Sequence, residues 1–224
     1  MIVLHEKDLK HVISSVVKKL ITEEMHVIDS KLFPLASFIY EEIDKKIRNG
    51  ENSIEFEIPV EEIARYYPYG NPKSLRIVCG LGVSNGKMEY KNKTIIINID
   101  FFYTEGKDRC ISRIIHELTH FVNDNESDGI PVIYRTGNEI YEKLSYYLRN
   151  TECNARCSEF GSFLRKENNI KPIKDYEDIT RLRRIETILS QADGIPTSNL
   201  KKFQRKFKNY KWRIFKIYSG FQNP

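Results

Sequence analysis

His116 and His120 stand four residues apart around a glutamate, in the run His116-Glu117-Leu118-Thr119-His120. On an α-helix, residues at this spacing share a face with Cβ atoms roughly 6 Å apart, so two imidazoles can reach a single cation. A carboxylate directly after the first imidazole can address a water held at that cation. A metal-activated water with a base beside it is the chemistry that hydrolyses an amide bond.

The flanks fit a buried ligand face. Ile114 and Ile115 precede the motif, Phe121 and Val122 follow it, and no lysine, arginine or second acid falls between Ile114 and Val122. Stray charges in a dry cleft would be costly. The plainer reading is an amphipathic helix with two incidental histidines. Against it, the chain has only five histidines, and two of them bracket the one glutamate of the motif.

H-E-x-x-H is the pattern of zinc metallopeptidases, in which the histidines hold Zn²⁺ and the glutamate is the general base. A catalytic zinc has three protein ligands and one open position. No histidine follows His120, so the third ligand is expected among the acids. Glu152 is the choice. It opens Glu152-Cys-Asn-Ala155-Arg156-Cys-Ser-Glu159, where Ala155 would let a second helix pack close to the metal helix. Arg156 and Glu159 share that face and would orient the ligands. Glu126 is the rival, six residues past His120 and reachable by a tight turn at Asn123.

His116-Glu117-x-x-His120 followed by Glu152-x-x-Ala155 resembles the gluzincin branch of zinc metallopeptidases. It is similar in particular to the compact bacterial and phage-associated proteases of the ImmA/IrrE type, over about residues 94–165. The order Asn154-Ala155 departs from their E-x-x-A-N stretch. The resemblance implies a zincin fold, a bound zinc, Glu117 as base and a repressor-like protein substrate.

In the expected reaction the ion lowers the pKa of its water to about 7 and Glu117 takes the proton as the scissile carbonyl is attacked. The developing oxyanion needs a further donor. Tyr134, Tyr141, Tyr146, Tyr147 and Arg156 are the candidates.

These residues need a scaffold. With 224 residues, 40% of them hydrophobic, the chain can build one compact domain, and wholesale disorder is excluded. No apolar run approaches a membrane span and the charged start lacks a secretory plan, so no membrane partner and a cytoplasmic location are expected. Cys79, Cys110, Cys153 and Cys157 make no disulfide framework and read as reduced thiols.

Patterning predicts helices over Glu6–Ile28 and Pro34–Arg48, the second stopped at Asn49-Gly50. The alternating Ser53-Ile-Glu-Phe-Glu-Ile predicts a strand, and Val60–Tyr67 a short helix before a turn cluster at Pro68–Pro72. Leu75–Val83 and Lys87–Tyr90 are expected to pair as a hairpin across Ser84-Asn85-Gly86. Thr94–Asp100 is a buried strand, residues 103–107 a loop, and Asp108 the cap of a metal helix ending near Val122. Helices follow over Asn138–Asn168, broken near Asn150, then Tyr176–Gln191 and Ser198–Tyr218.

The expected class is α+β and zincin-like: a small, mainly antiparallel sheet beside the H-E-x-x-H helix, with helices packed around it. An edge strand lining the cleft would hold an extended peptide substrate. The expected division is an N-terminal helical segment (1–50), a catalytic core (51–170) and a basic C-terminal segment (171–224), in one compact unit.

The charge is uneven. Residues 195–224 hold eight lysines and arginines and no acid, leaving −3 for the rest of a chain whose net charge is +5. Phe203, Phe207, Tyr210, Trp212, Phe215 and Tyr218 interleave with these cations. Such a mix belongs either to an amphipathic helix, aromatic face inward, or to a nucleic-acid-binding surface. The second option carries the alternative function: a nucleic-acid-binding or interaction protein with a structural or vestigial metal site.

Overall fold

The computed structural model describes residues 31–68, 73–82, 87–89, 92–126, 138–167, 169–191 and 194–222, with backbone alone at 87 and 123–126. The expected first helix (Glu6–Ile28), the residues 69–72 of the turn cluster and the Ser84–Gly86 turn lie outside the described residues.

The strand Ser53–Ile58 (β1) forms where expected, because alternation puts Ile54 and Ile58 inward and Ser53, Glu55 and Glu57 in solvent. It pairs antiparallel with Leu75–Gly80 (β2), setting Ile54 against Cys79 and Ile58 against Leu75. The short Lys87–Glu89 strand (β3) and Thr94–Asn98 (β4) complete a four-stranded sheet in the order β1-β2-β4-β3. In this register Phe56, Ile77, Ile95 and Met88 line up across the sheet on one apolar face.

The expected hairpin between β2 and β3 is not formed. β4 lies between them, parallel to β2 and antiparallel to β3. An Asn-Gly turn signal is local, whereas β4 is covered on both faces, with Ile95 and Ile97 buried on one and Thr94 buried beside half-buried Ile96 on the other. A strand of that kind belongs inside a sheet. The direct hairpin is β3–β4, closed through Lys93 at φ 48°. The sheet is therefore mixed, with β1 and β3 at its edges.

Helix α1, described over residues 31–48, ends at Gly50, whose φ of 86° suits a residue without Cβ. Val60–Tyr66 (α2) follows Pro59. Residues 103–107 are not one loop: Asp100–Thr104 (α3) is a short helix, its first amide bonded by Asn98 Oδ1 at 3.0 Å. The helix carrying His116 and His120, α4, starts at Lys107, so Asp108 sits in its first turn instead of capping it. It also continues past Val122 to Glu126. Glu139–Tyr147 (α5), Asn150–Lys166 (α6), Glu177–Ser190 (α7) and Thr197–Gln222 (α8) complete the chain, with the break near Asn150 as expected. Among the described residues, no helix is long and apolar enough to cross a membrane.

Burial divides into two apolar clusters. One joins Leu35, Ile39 and Ile43 of α1, the sheet's apolar face, and Ile111, Ile114, Ile115, Leu118 and Phe121 of α4. The other joins Leu144, Phe160, Leu182, Phe207, Tyr210 and Ile214 from α5 to α8. Helices α4 and α6 pack directly on each other across the seam. On α6 the residues Ala155, Ser158, Gly161 and Ser162 are buried and small, which lets two helix backbones approach closely.

Candidate metal centre

The apolar stripe of α4 faces the first cluster, and this turns the histidines toward α6. His116 Nε2 and His120 Nε2 are 3.3 Å apart, with ring planes at 76°. Two imidazole nitrogens at that separation are satisfied only when one carries a proton or both face a cation. Glu152 Oε2 lies 3.8 Å from His116 Nε2 and 3.5 Å from His120 Nε2. All three residues are buried, and together they could hold a metal ion. A point equidistant from the three atoms lies about 2.1 Å from each, which matches zinc bonds to nitrogen and oxygen at about 2.0–2.2 Å. The donor set fits the ion.

Each donor is held from behind. Arg181 Nη2 donates to Glu152 Oε1 at 2.8 Å and Arg156 Nε to the same oxygen at 3.3 Å, leaving Oε2 for the imidazoles. Burial alone would raise the Glu152 pKa. The hydrogen bond with His120 and the charges of His116, Arg181 and Arg156 outweigh it and hold the carboxyl well below its usual range.

Behind His116, Nδ1 lies 3.1 Å from Glu159 Oε2, an oblique ionic contact. A proton kept on Nδ1 leaves Nε2 free as a ligand. Glu159 is itself bound by Arg156 Nη1 at 3.0 Å and Arg113 Nη1 at 3.2 Å. Despite burial, its carboxyl is held low by His116, Arg156 and Arg113. Burial opposes protonation of His116, but Glu159 and Glu117 win and raise its pKa.

Glu117 is buried beside His116 on α4. Burial raises its pKa, with Glu152 and Glu159 adding to the rise against the charges of His116 and His120. A carboxylate whose basicity is raised in this way is suited to accepting a proton.

The structure brings His116, His120 and Glu152 together, with Glu117 adjacent and Arg156 and Glu159 behind them. The Glu126 alternative needs a tight turn at Asn123, and that turn is absent because residues 123–126 remain helical. Six residues along a helix place Glu126 roughly 120° around the axis from His120; its side chain lies outside the described residues. Of the donor candidates, Tyr134 also lies outside them. Tyr141 packs on Phe203, and Tyr147 lies under the Arg181 guanidinium, 4.8 Å from its ring centre. Arg156 is engaged by two carboxylates. Tyr146 is 48% exposed, its ring against Tyr147 and 5.9 Å from the Arg149 guanidinium. Its hydroxyl pKa is raised by partial burial and then by Glu152, with Glu117 also in electrostatic reach.

Sequence reasoning missed Arg181 and Arg113. Arg113 stands three residues before His116, a spacing that already puts it on the ligand side of α4. Arg181 had no such signal, because only the docking of α7 brings it to Glu152. Comparison with protein-family models, curated proteins and solved structures finds no match for this chain.

Proposed function

We propose that the chain is a zinc-dependent metallopeptidase that hydrolyses peptide bonds, with His116, His120 and Glu152 as zinc ligands and Glu117 as general base. The observation carrying this reading is the buried triangle of two Nε2 atoms and one carboxylate oxygen, sized for zinc, with an acid directly after the first histidine. Zinc in that triangle would supply the positive charge that acidifies water and polarises a carbonyl. Two imidazoles and one carboxylate are a donor set suited to it.

The chain's own residues supply the rest. Glu117 accepts the proton of the attacking water and delivers it to the leaving amine. Arg156 and Arg181 fix Glu152 through one oxygen so that the other points inward. Glu159 fixes the tautomer of His116. We take Tyr146, in electrostatic reach of Glu152 and Glu117, as the hydrogen-bond donor to the oxyanion. The substrate is a peptide or protein, and the gluzincin likeness extends the reading to a regulatory, repressor-like target. Four free, buried cysteines accord with a reducing compartment, so we place the enzyme in the cytoplasm.

The test is Glu117→Gln. That variant should keep about one zinc per chain and lose peptide cleavage by at least about 10²-fold. Cleavage at the parent rate would refute the assignment.

A further inference from the structure

Helix α8 spends its apolar face inside the second cluster: Phe203, Phe207, Tyr210, Ile214 and Ile217 are buried. Arg213 Nη1 on Asn154 Oδ1 at 2.9 Å and Tyr218 OH on the Lys171 carbonyl at 2.9 Å fasten the helix to the body. Its outer face has a different composition. Lys201, Arg205, Lys208, Trp212 and Phe215 are exposed and follow one another at three- or four-residue spacing, which puts them on one line along the helix. The line extends about 21 Å at the α-helical rise.

Cations occupy its first half and aromatic rings its second. Trp212 is 45% exposed and Phe215 42%, and Lys216 Nζ sits 5.0 Å from the Trp212 ring centre. Lys211, to the side, is already paired with Glu186, whereas Lys201, Arg205 and Lys208 have no carboxylate partner among the described residues. No acid occurs from residue 195 to 224. Packed against a body that is net negative, such a helix concentrates positive potential along one edge.

We propose that this line is a binding surface for single-stranded nucleic acid, its cations tracking the phosphates and its two rings stacking bases. Three alternatives fit less well. An anionic bilayer would take up an apolar helix face, and that face is already buried in the protein. An acidic peptide would use the cations and leave the rings without partners. A duplex would offer phosphates but keep its base faces stacked away from the rings. The open aromatics in line with unpaired cations select a strand with accessible bases.

Trp212 is the sole tryptophan of the chain, so its emission reports the site directly. The experiment titrates the full chain with oligothymidylate and follows that emission. Saturable quenching that weakens as salt rises is expected. A triple Lys201→Ala, Arg205→Ala, Lys208→Ala variant should bind at least about tenfold more weakly, with a log–log salt slope shallower by about 2 for three lost phosphate contacts. Phe215→Ala should weaken binding about fivefold to a hundredfold. These exposed substitutions should leave circular dichroism and melting temperature unchanged. Glu117→Gln should bind as the parent does, which makes the result independent of the peptidase reading. Absence of quenching at low salt overturns the proposal, and so does parent-like binding by the triple variant. Equal quenching by a matched duplex, phosphatidylserine vesicles or polyglutamate also overturns it.

Discussion

Replacing Glu159 with glutamine keeps the side-chain volume and removes one buried charge. In the parent that charge faces Arg156 at 3.0 Å, Arg113 at 3.2 Å and His116 Nδ1 at 3.1 Å. Losing a carboxylate behind a metal-bound imidazole typically lowers metal affinity 10- to 100-fold, about 1.4–2.7 kcal/mol. Zinc held at the proposed site would stabilise the folded chain through its occupancy, so at equal free zinc the variant should gain that much less stability from the ion. For a chain of this size the deficit corresponds to a zinc-induced rise in melting temperature smaller by about 3–10 °C. The assay pairs a chelator-competition titration with thermal melts in the presence and absence of zinc. Glu177→Gln is the control, because Glu177 also pairs with Arg113 yet is half exposed and does not touch an imidazole. It should leave zinc affinity unchanged. A Glu159→Gln protein that folds and binds zinc within twofold of the parent would refute the orienting role of Glu159, as would equal losses in both variants.

Glu152→Ala should abolish stoichiometric zinc, measured by elemental analysis, while Glu126→Ala retains it; the reverse result would move the third ligand to Glu126. Tyr146→Phe should lower kcat by about 10²-fold with zinc content and KM retained, and an unchanged kcat would exclude the hydroxyl from the reaction. Asp178 is buried, and burial together with the Glu159 charge pushes its pKa up to about 7. The native chain then holds this proton more tightly than the unfolded one, so stability falls as pH rises from about 4 to 7. Asp178→Asn should therefore be more stable than the parent at pH 8. The gain should fade on acidification through that window in denaturant titrations. A gain independent of pH would exclude Asp178 as its source.

The grouping of His116, His120 and Glu152 was legible because its determinants are local. His116 and His120 share a face at any helical i, i+4 spacing, and the absence of later histidines left an acid as the third donor. Ala155, Arg156 and Glu159 followed from their helical offsets to Glu152. What escaped depends on how distant segments meet. The Asn85-Gly86 signal marks a turn but does not say which strand pairs across it, and burial on both faces of β4 decided that. Five residues, Asp100–Thr104, are too few for periodicity to register as a helix. Arg181 sits in an ordinary basic run of α7 and gains its meaning only where α7 docks. On α8, Phe203, Phe207, Tyr210 and Tyr218 turn inward as an amphipathic helix requires and Phe221 packs at the margin of the same cluster, while Trp212 and Phe215 stay exposed.

The donors of the metal triangle straddle the seam, with both imidazoles rooted in one apolar cluster and the carboxylate in the other. An ion gripped there would act as a clasp between two halves that each own a separate interior. A chain emerging from the ribosome would present His116, Glu117 and His120 well before α6 exists, and domains of growing chains fold from the N-terminal side first. The proposed chemistry thus stays switched off until both halves have been made and docked, with no separate inhibitory segment required.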